Sequence, residues 1–229
     1  TAAFVAFRLP TAVDQKRSSL PRGGHRIAIL LVYTAPNNDY TAIAPYFGVF
    51  CAGAPSHLVD FLIFHTGILD GWPLLQTECP SNVKFINLQT LQALAERLVR
   101  VVEHPKMKTS ELVSLVQSYI QAYPYALVEF KPALGYIFAD YLQEYSHWGY
   151  TDIDILFGDL DRWITPDELD YFDIVTYSFG DQQRLYLRGQ FTFHKNTAVI
   201  NEIWKVCDYL SKLDERFDRI INKKGGYHV

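Results

Sequence analysis

The chain has 229 residues, of which 49% are hydrophobic and 20% charged, and its formal net charge at pH 7 is -4. This length and composition are typical of one globular domain with its own core. The charge excludes a broadly basic surface, so nucleic acid is not an expected partner. Any anionic ligand must be held locally, by a metal ion or a few placed cations.

The three cysteines, Cys51, Cys79 and Cys207, are widely spaced and form no C-x-x-C pair. This pattern argues against a zinc site and a full disulfide framework but permits one bridge. No apolar run approaches the roughly 20 residues that a membrane span requires. The chain begins at Thr1 rather than Met, which suggests trimming and leaves a removed signal or anchor open. Localisation stays open between the Golgi lumen, as a trimmed type II protein, and the cytoplasm.

Small, polar and basic residues around prolines and glycines predict a linker or stem over residues 1–25. The domain then covers residues 26–215, followed by a mobile tail over residues 216–229. Its first strand, residues 26–34 (RIAILLVYT), is continuously apolar, which is typical of a parallel sheet covered on both faces. A helix over residues 41–52 and strands over residues 58–65 and 83–88 are predicted next.

Helices and short strands continue along the chain, which indicates an α/β fold with a mostly parallel central sheet flanked by helices, in a single domain. One helix is predicted to begin at Lys131-Pro132, because proline suits the first helical position, and its apolar residues 134–145 share one face. The other predicted elements are helices over residues 91–102, 110–119 and 197–213 and strands over residues 174–177 and 190–194.

Residues 151–163, TDIDILFGDLDRW, contain two Asp-X-Asp pairs. On a strand, carboxylates at this spacing share one face and can bind a divalent cation, which in turn can bridge to substrate phosphates. Asp152 and Asp154 have apolar neighbours, so their charge requires neutralisation. Asp159 and Asp161 have the composition of a turn. We expect the first pair to bind ligand, Asp159 to cap a turn or take part in chemistry, and Asp161 to be ordinary surface.

Two other acidic motifs fit poorly. A haloacid-dehalogenase-type phosphatase requires an apolar strand before Asp-X-Asp-X-Thr or Val, but SHWGYT precedes the first pair and Leu156 follows it. An EF-hand beginning at Asp159 requires glycine at its sixth position, where this chain has Ile164. A phosphatase and an EF-hand are therefore disfavoured.

The run FKPALGYIFADYLQEYSHWGYTDIDILFGDLDRWI, followed by FDIVTYS and GQFTFHKNT, resembles a poorly characterised group of GT-A-fold glycosyltransferases from bacteria, algae and viruses. GYTDID is also distantly similar to the Gly-Gly-X-Tyr-X-Asp-X-Asp element of sugar-binding Asp-X-Asp glycosyltransferases, including α-mannosyltransferases. The resemblance covers about residues 26–204. It implies a GT-A-like nucleotide-binding domain, a nucleoside diphosphate sugar as donor, and Mn²⁺ or Mg²⁺ on the first acidic pair.

Carried over by position, the resemblance assigns Asp154 to the metal and Asp152 to the metal or to the ribose and sugar hydroxyls. Lys131, before the acids, can face a diphosphate or an acceptor, or lie on the surface. Asp159 completes the catalytic candidates. The residues expected around the nucleotide sugar are Val32, Tyr33, Thr34, Phe64, His65, Thr66, Lys131, Asp152 and Gln190.

The chain departs from its apparent relatives at two places. It has His65-Thr66-Gly67 where they often have an acid, which leaves the base open, and Gln190 where many have histidine. His194, on the same strand face as Gln190, is a candidate pocket or metal residue or a core histidine. The aromatic residues Trp148, Tyr150 and Trp163 are candidates either for stacking on sugars or for packing in the core. The tail residues Lys224 and His228 either close over the donor as a lid or belong to a frayed terminus.

Together these features predict a metal-dependent hexosyltransferase that moves a sugar from a nucleoside diphosphate sugar to a glycan hydroxyl. The distant likeness favours retention, whereas an inverting enzyme would use Asp159 or Asp181 as base. The alternative, which the two departures keep open, is a non-catalytic glycan or nucleotide-sugar binding module of the same fold.

Overall fold

The computed structural model describes residues 3–7, 24–34, 40, 43–67, 79–102, 107–178, 189–206 and 210. These residues form a single α/β domain in which helices flank a seven-stranded mixed sheet. In this part of the chain no helix is both long and apolar enough to cross a membrane.

The sheet has the strand order β1-β6-β7-β5-β2-β3-β4. β2 pairs in parallel with β3 and β5, and β3 with β4, whereas β5–β7, β6–β7 and β1–β6 are antiparallel. The prediction of a mostly parallel sheet is therefore corrected to a mixed one. The strands are β1 (Ala3–Phe7), β2 (Ile27–Tyr33), β3 (Val59–His65), β4 (Val83–Asn87), β5 (His147–Thr151), β6 (Ile174–Ser178) and β7 (Phe191–Lys195).

Part of the predicted linker belongs to the sheet. Residues 3–7, AFVAF, form β1, which pairs with β6 at one edge. This apolar run lies among the polar and basic residues that predicted a linker over residues 1–25. The predicted tail, residues 216–229, lies outside the described residues.

The helices are shorter than the sequence predicts. The predicted helix that begins at Lys131 is wrong, because 3₁₀ helices at Pro124–Ala133 and Ala139–Tyr141 flank only one turn of α-helix. Pro132 and Gly135 both disfavour an α-helical interior. The predicted closing helix likewise ends early, before a 3₁₀ turn at Ile203–Val206. The α-helices are α1 (Ala44–Gly53), α2 (Leu91–Leu98), α3 (Thr109–Ala122), α4 (Leu134–Ile137), α5 (Leu160–Trp163), α6 (Pro166–Tyr171) and α7 (Ala198–Asn201).

Strand β2 is buried on both faces, as its apolar run predicts. Ala28 and Leu30 contribute to a core beneath α2 and α3, and Ile27 and Ile29 to a core beneath α1. Alternate residues of a strand point to opposite faces, so one strand joins both cores. The central strands therefore form a rigid support for whatever lies at their ends.

A disulfide joins Cys51, in the last turn of α1, to Cys79, before β4. The cysteines are 28 residues apart in sequence. The bridge closes a loop that includes all of β3, so it fixes α1 to the edge of the sheet. The third cysteine, Cys207, lies outside the described residues.

Replacing both Cys51 and Cys79 with alanine is expected to lower the free energy of unfolding by roughly 3 to 4 kcal/mol, because the loop is no longer closed in the unfolded chain. Guanidinium unfolding monitored by circular dichroism measures this loss. Reductant should destabilise the wild type and leave the double variant unchanged. Equal unfolding midpoints for wild type with and without reductant would contradict the structural role of the bridge.

Gly135→Ala is expected to destabilise the domain by about 1–3 kcal/mol, because the new methyl group would meet the indole of buried Trp148. A Cβ at this position would lie 2.1 Å from Trp148 Cε2. Gly158→Ala is the matched control, since its Cβ would have no neighbour within 4 Å. Thermal unfolding should show a lower Tm for Gly135→Ala only. Equal Tm values for the two variants would contradict the expected clash with Trp148.

Candidate functional site

A cavity of about 620 Å³ opens at the carboxyl ends of β2 and β5. The chain leaves β2 through α1 to reach β3 on one side, whereas β5 lies on the other side of β2. The two strands thus form a topological switch point, where ligands bind in open α/β sheets. The volume falls within the roughly 300–1,000 Å³ of small-ligand pockets.

The cavity brings together many of the residues that the sequence singles out. Its walls come from the end of β2, from α1 and from the 3₁₀ helix Pro124–Ala133, and its polar side comes from the residues after β5. The predicted site residues that line it are Val32, Tyr33, Thr34, Lys131, Asp152, Asp154 and Gln190.

Asp152 and Asp154 lie in a turn rather than on a strand. β5 ends at Thr151, so the alternation of strand side chains does not set their directions. Asp152 is half-buried, with its side chain 32% exposed, whereas Asp154 is exposed. The expected apolar setting is therefore wrong for Asp154 and partly right for Asp152.

Lys131 supplies the counter-ion that Asp152 needs. Its Nζ is paired with Asp152 Oδ1 and donates to the backbone oxygen of Gly189 at 2.7 Å. The lysine side chain is only 14% exposed, so it does not lie on the surface. It lies in the last turn of the 3₁₀ helix Pro124–Ala133 rather than at a helix start as predicted.

The entry to β7 holds the end of β5 in place. The carbonyl of Gln190 accepts from Asp152 N at 3.3 Å and from Thr151 Oγ1 at 2.6 Å. The position of Gln190 beside the acids thus depends on its main chain.

His65 and Thr66 stand outside the cavity lining. Both are buried, and the Thr66 carbonyl accepts from the hydroxyl of Tyr40. Burial lowers the pKa of His65. The ring centroid of Tyr40 lies 5.7 Å from that of Tyr33, which lines the cavity. His65 and Thr66 therefore lie behind the lining residues and do not face the cavity directly. Phe64 stacks on Phe138 at 4.0 Å in the core.

His194 is a core residue and not a neighbour of the acids. It pairs with Trp148 in the sheet. Gln190 lies four residues before it, which corresponds to a distance of roughly 13 Å along an extended chain. Its ring stacks on Trp148 with centroids 4.2 Å apart, and burial lowers its pKa to about 3. Neither ring nitrogen has a hydrogen-bond partner within the described residues. The assignment of His194 to the metal is therefore corrected.

The other aromatic candidates divide between core and surface. Trp148 and Tyr150 are buried, and Trp148 Nε1 donates to Asn201 Oδ1 at 2.6 Å. Trp163 is 56% exposed but lies outside the cavity lining. Sequence reasoning missed two exposed aromatic residues that do line the cavity, Tyr46 and Tyr125. Only their aromatic character, beside Pro45 and Pro124, could have indicated them.

The second acidic pair has structural contacts. Asp159 caps α5 by accepting from Arg162 N at 3.2 Å, as the turn composition predicts. Asp161 accepts from the backbone N–H groups of His57 and Leu58 at 2.9 and 3.1 Å. Although partial burial opposes ionisation, these bonds and one from the Ser56 hydroxyl lower the pKa of Asp161. Asp161 is exposed, as predicted, but it also has a structural role that the sequence did not indicate, because its carboxylate holds the backbone that enters β3.

The described residues contain no group of three His, Cys, Asp or Glu side chains that could hold a metal ion. Hard cations such as Mg²⁺ take one or two carboxylates and fill their other positions with water and substrate phosphates. Asp152 and Asp154 both line the cavity and fit that donor set. Asp181, Lys224 and His228 lie outside the described residues.

Stability is expected to fall as pH drops from about 6.5 to about 3, because His147 and His194 are buried neutral in the folded chain. Burial lowers the pKa of each to about 3, whereas the unfolded histidines take up protons near pH 6.5. Each contributes a slope of up to about 1.4 kcal/mol per pH unit in this window, with no contribution above it.

Urea unfolding at several pH values measures this slope. His194→Leu should lower the slope by up to about 1.4 kcal/mol per pH unit, since buried His147 and His65 still contribute to it. The matched control is exposed His57→Gln, which should keep the wild-type slope. A slope in His194→Leu equal to that of the wild type would refute the assignment.

Comparison with known proteins places the chain in a family without naming an activity. No curated protein and no solved structure matches it. One family model, described as a family of unknown function (DUF6625), matches residues 42–228, a span that includes Lys131, both acids and every cavity segment except β2. Because this match covers most of the sequence, the chain belongs to the family of unknown function DUF6625.

Proposed function

We propose that the cavity binds a nucleoside diphosphate sugar and that the protein is a metal-dependent, GT-A-like glycosyltransferase, which transfers the sugar to a glycan hydroxyl. The observation that carries this proposal is the composition of the cavity at the switch point. Among the described residues, apolar and aromatic walls adjoin one cation, Lys131, and two carboxylates, Asp152 and Asp154. This combination suits a ligand with a flat base at one end and a diphosphate at the other.

The end of β2 and the exposed aromatic residues suit the nucleoside and the sugar. Tyr33 is held by ring contacts with Tyr40 and Phe47, at 5.7 and 6.3 Å between centroids. Tyr46 and Tyr125 are 52% and 68% exposed and offer ring faces at the cavity. Aromatic rings stack on flat or apolar ligand faces and place polar edges at water.

The charged side of the cavity suits the diphosphate. Asp152 and Asp154 would hold Mn²⁺ or Mg²⁺, which when bound would supply positive charge to the departing diphosphate. Lys131, the ion-pair partner of Asp152, lies at the same wall.

We propose that the anomeric configuration of the transferred sugar is retained, because the distant sequence similarity to α-mannosyltransferases implies it. Asp159, one candidate base for inversion, caps α5 and is not a lining residue of the cavity. The other, Asp181, lies outside the described residues. Of the two compartments considered, the Cys51–Cys79 bridge favours the Golgi lumen, because disulfides persist in oxidising environments.

Nucleoside diphosphate sugars with Mn²⁺ are expected to raise the Tm of the wild type by several degrees and to have little effect on Asp154→Asn. Binding to the folded state stabilises it by about 2.7 kcal/mol at a ligand concentration 100 times Kd. A thermal-shift panel of donors, with and without Mn²⁺, measures this effect. Asp167→Asn, which removes an exposed acid outside the cavity, is the matched control and should respond like the wild type.

The proposed site is wrong if no donor stabilises the wild type or if Asp154→Asn responds fully. Slow hydrolysis of the responding donor, or transfer to an added glycan, then separates an enzyme from a binding module. A donor that binds tightly without any turnover would support the binding module.

A further inference from the structure

Lys131 is the only cationic side chain among the described residues that line the cavity. Its ammonium group is paired with Asp152 Oδ1, bonded to the Gly189 carbonyl at 2.7 Å, and 5.8 Å from the ring centroid of Tyr150. Two of its three N–H donors are thereby used within the protein. In this arrangement the lysine neutralises the acid and leaves little charge for a ligand.

A divalent cation on Asp152 would alter this arrangement. The ammonium and the metal would lie within a few ångströms of each other in a partly buried wall, where like charges repel strongly. The two therefore compete for the same carboxylate. Gly189 O is a neutral acceptor, so it can still hold the ammonium near the cavity when Asp152 binds a metal.

We infer that Lys131 is an exchangeable counter-ion. It occupies Asp152 when no divalent cation is bound, and it turns to a phosphate of the anionic ligand when a cation takes the carboxylate. Lysine suits this role because its flexible four-carbon stem carries three rotatable donors. The inference rests on the proposed function for the identity of the anion, but the competition with a cation does not depend on it. It makes Lys131 a ligand-binding residue with two successive partners.

The first test measures the binding of Mn²⁺ alone, by calorimetry and by electron paramagnetic resonance of the free ion. Lys131→Met is expected to bind Mn²⁺ about tenfold or more tightly than the wild type, because the competing charge is gone. Lys131→Arg, which keeps the charge, should bind no more tightly than the wild type. Lys84→Met is the matched control: it makes the same change in net charge at a lysine paired with Asp60, near the amino ends of the strands. It should leave Mn²⁺ affinity unchanged.

The second test measures the binding of inorganic pyrophosphate in the presence of saturating Mg²⁺. Here the expected change is reversed: Lys131→Met should bind pyrophosphate about tenfold or more weakly, because the ammonium no longer reaches the anion. A gain in cation affinity combined with a loss in anion affinity is not expected of a merely structural lysine. If Lys131→Met lacks a cooperative thermal transition, Lys131→Gln replaces it in both measurements.

Equal or weaker Mn²⁺ binding by the variant, including no binding by either protein, overturns the inference. So does an unchanged affinity for pyrophosphate. These measurements use no nucleotide or sugar, so their failure is separate from failure of the donor panel. Opposite shifts in the two affinities with no response to any donor would uphold the exchange and reject only the proposed glycosyltransferase.

Discussion

The unequal pairing of β2 with its two neighbours is the constraint on which the rest of the structure depends. β2 pairs with β3 along its whole length, from Ile27 to Tyr33, but with β5 only as far as Leu30. Beyond that point β5 pairs with β7 alone. The last residues of β2 are therefore held on one side and open on the other, and the cavity occupies that opening.

Close backbone contact keeps β5 in this position. A Cβ at Gly149 would lie 2.4 Å from the carbonyl oxygen of Thr192 and 2.8 Å from Ile29 Cδ1, so only glycine fits between β2 and β7. The neighbouring Trp148 is buried against Gly135 on one side and His194 on another. These close contacts between glycines and larger neighbours leave β5 little freedom to shift. They also place its last residue, Thr151, beside the acids.

Strong local signals in the sequence predicted the structure well, and tertiary contacts decided the rest. The apolar run of β2 and the acids after Gly149-Tyr150 led to the right strand and to residues of one cavity. The direction of β7 could not be predicted, because antiparallel pairing with β5 depends on partners distant in sequence. Helical periodicity after Lys131 was misleading, since Pro132 and the contact of Gly135 with Trp148 favour shorter turns. His194 looked like a candidate ligand from its strand position alone, and only its stacking on Trp148 shows that it belongs to the core.

The contacts of Asp161 affect how the acidic segment is held. At one end of the segment the Gln190 carbonyl accepts a hydrogen bond from Asp152 N. At the other end the Asp161 carboxylate accepts hydrogen bonds from the backbone that enters β3. Residues 152–161 therefore form a bridge between two separate parts of the sheet, with both ends fastened. Substitutions at exposed positions between the ends, such as Asp154 and Leu156, can alter the chemistry of the segment without loosening the attachments. A change in the number of residues, by contrast, would strain one of the two ends, so the exposed part of the segment is more tolerant of changes in composition than in length.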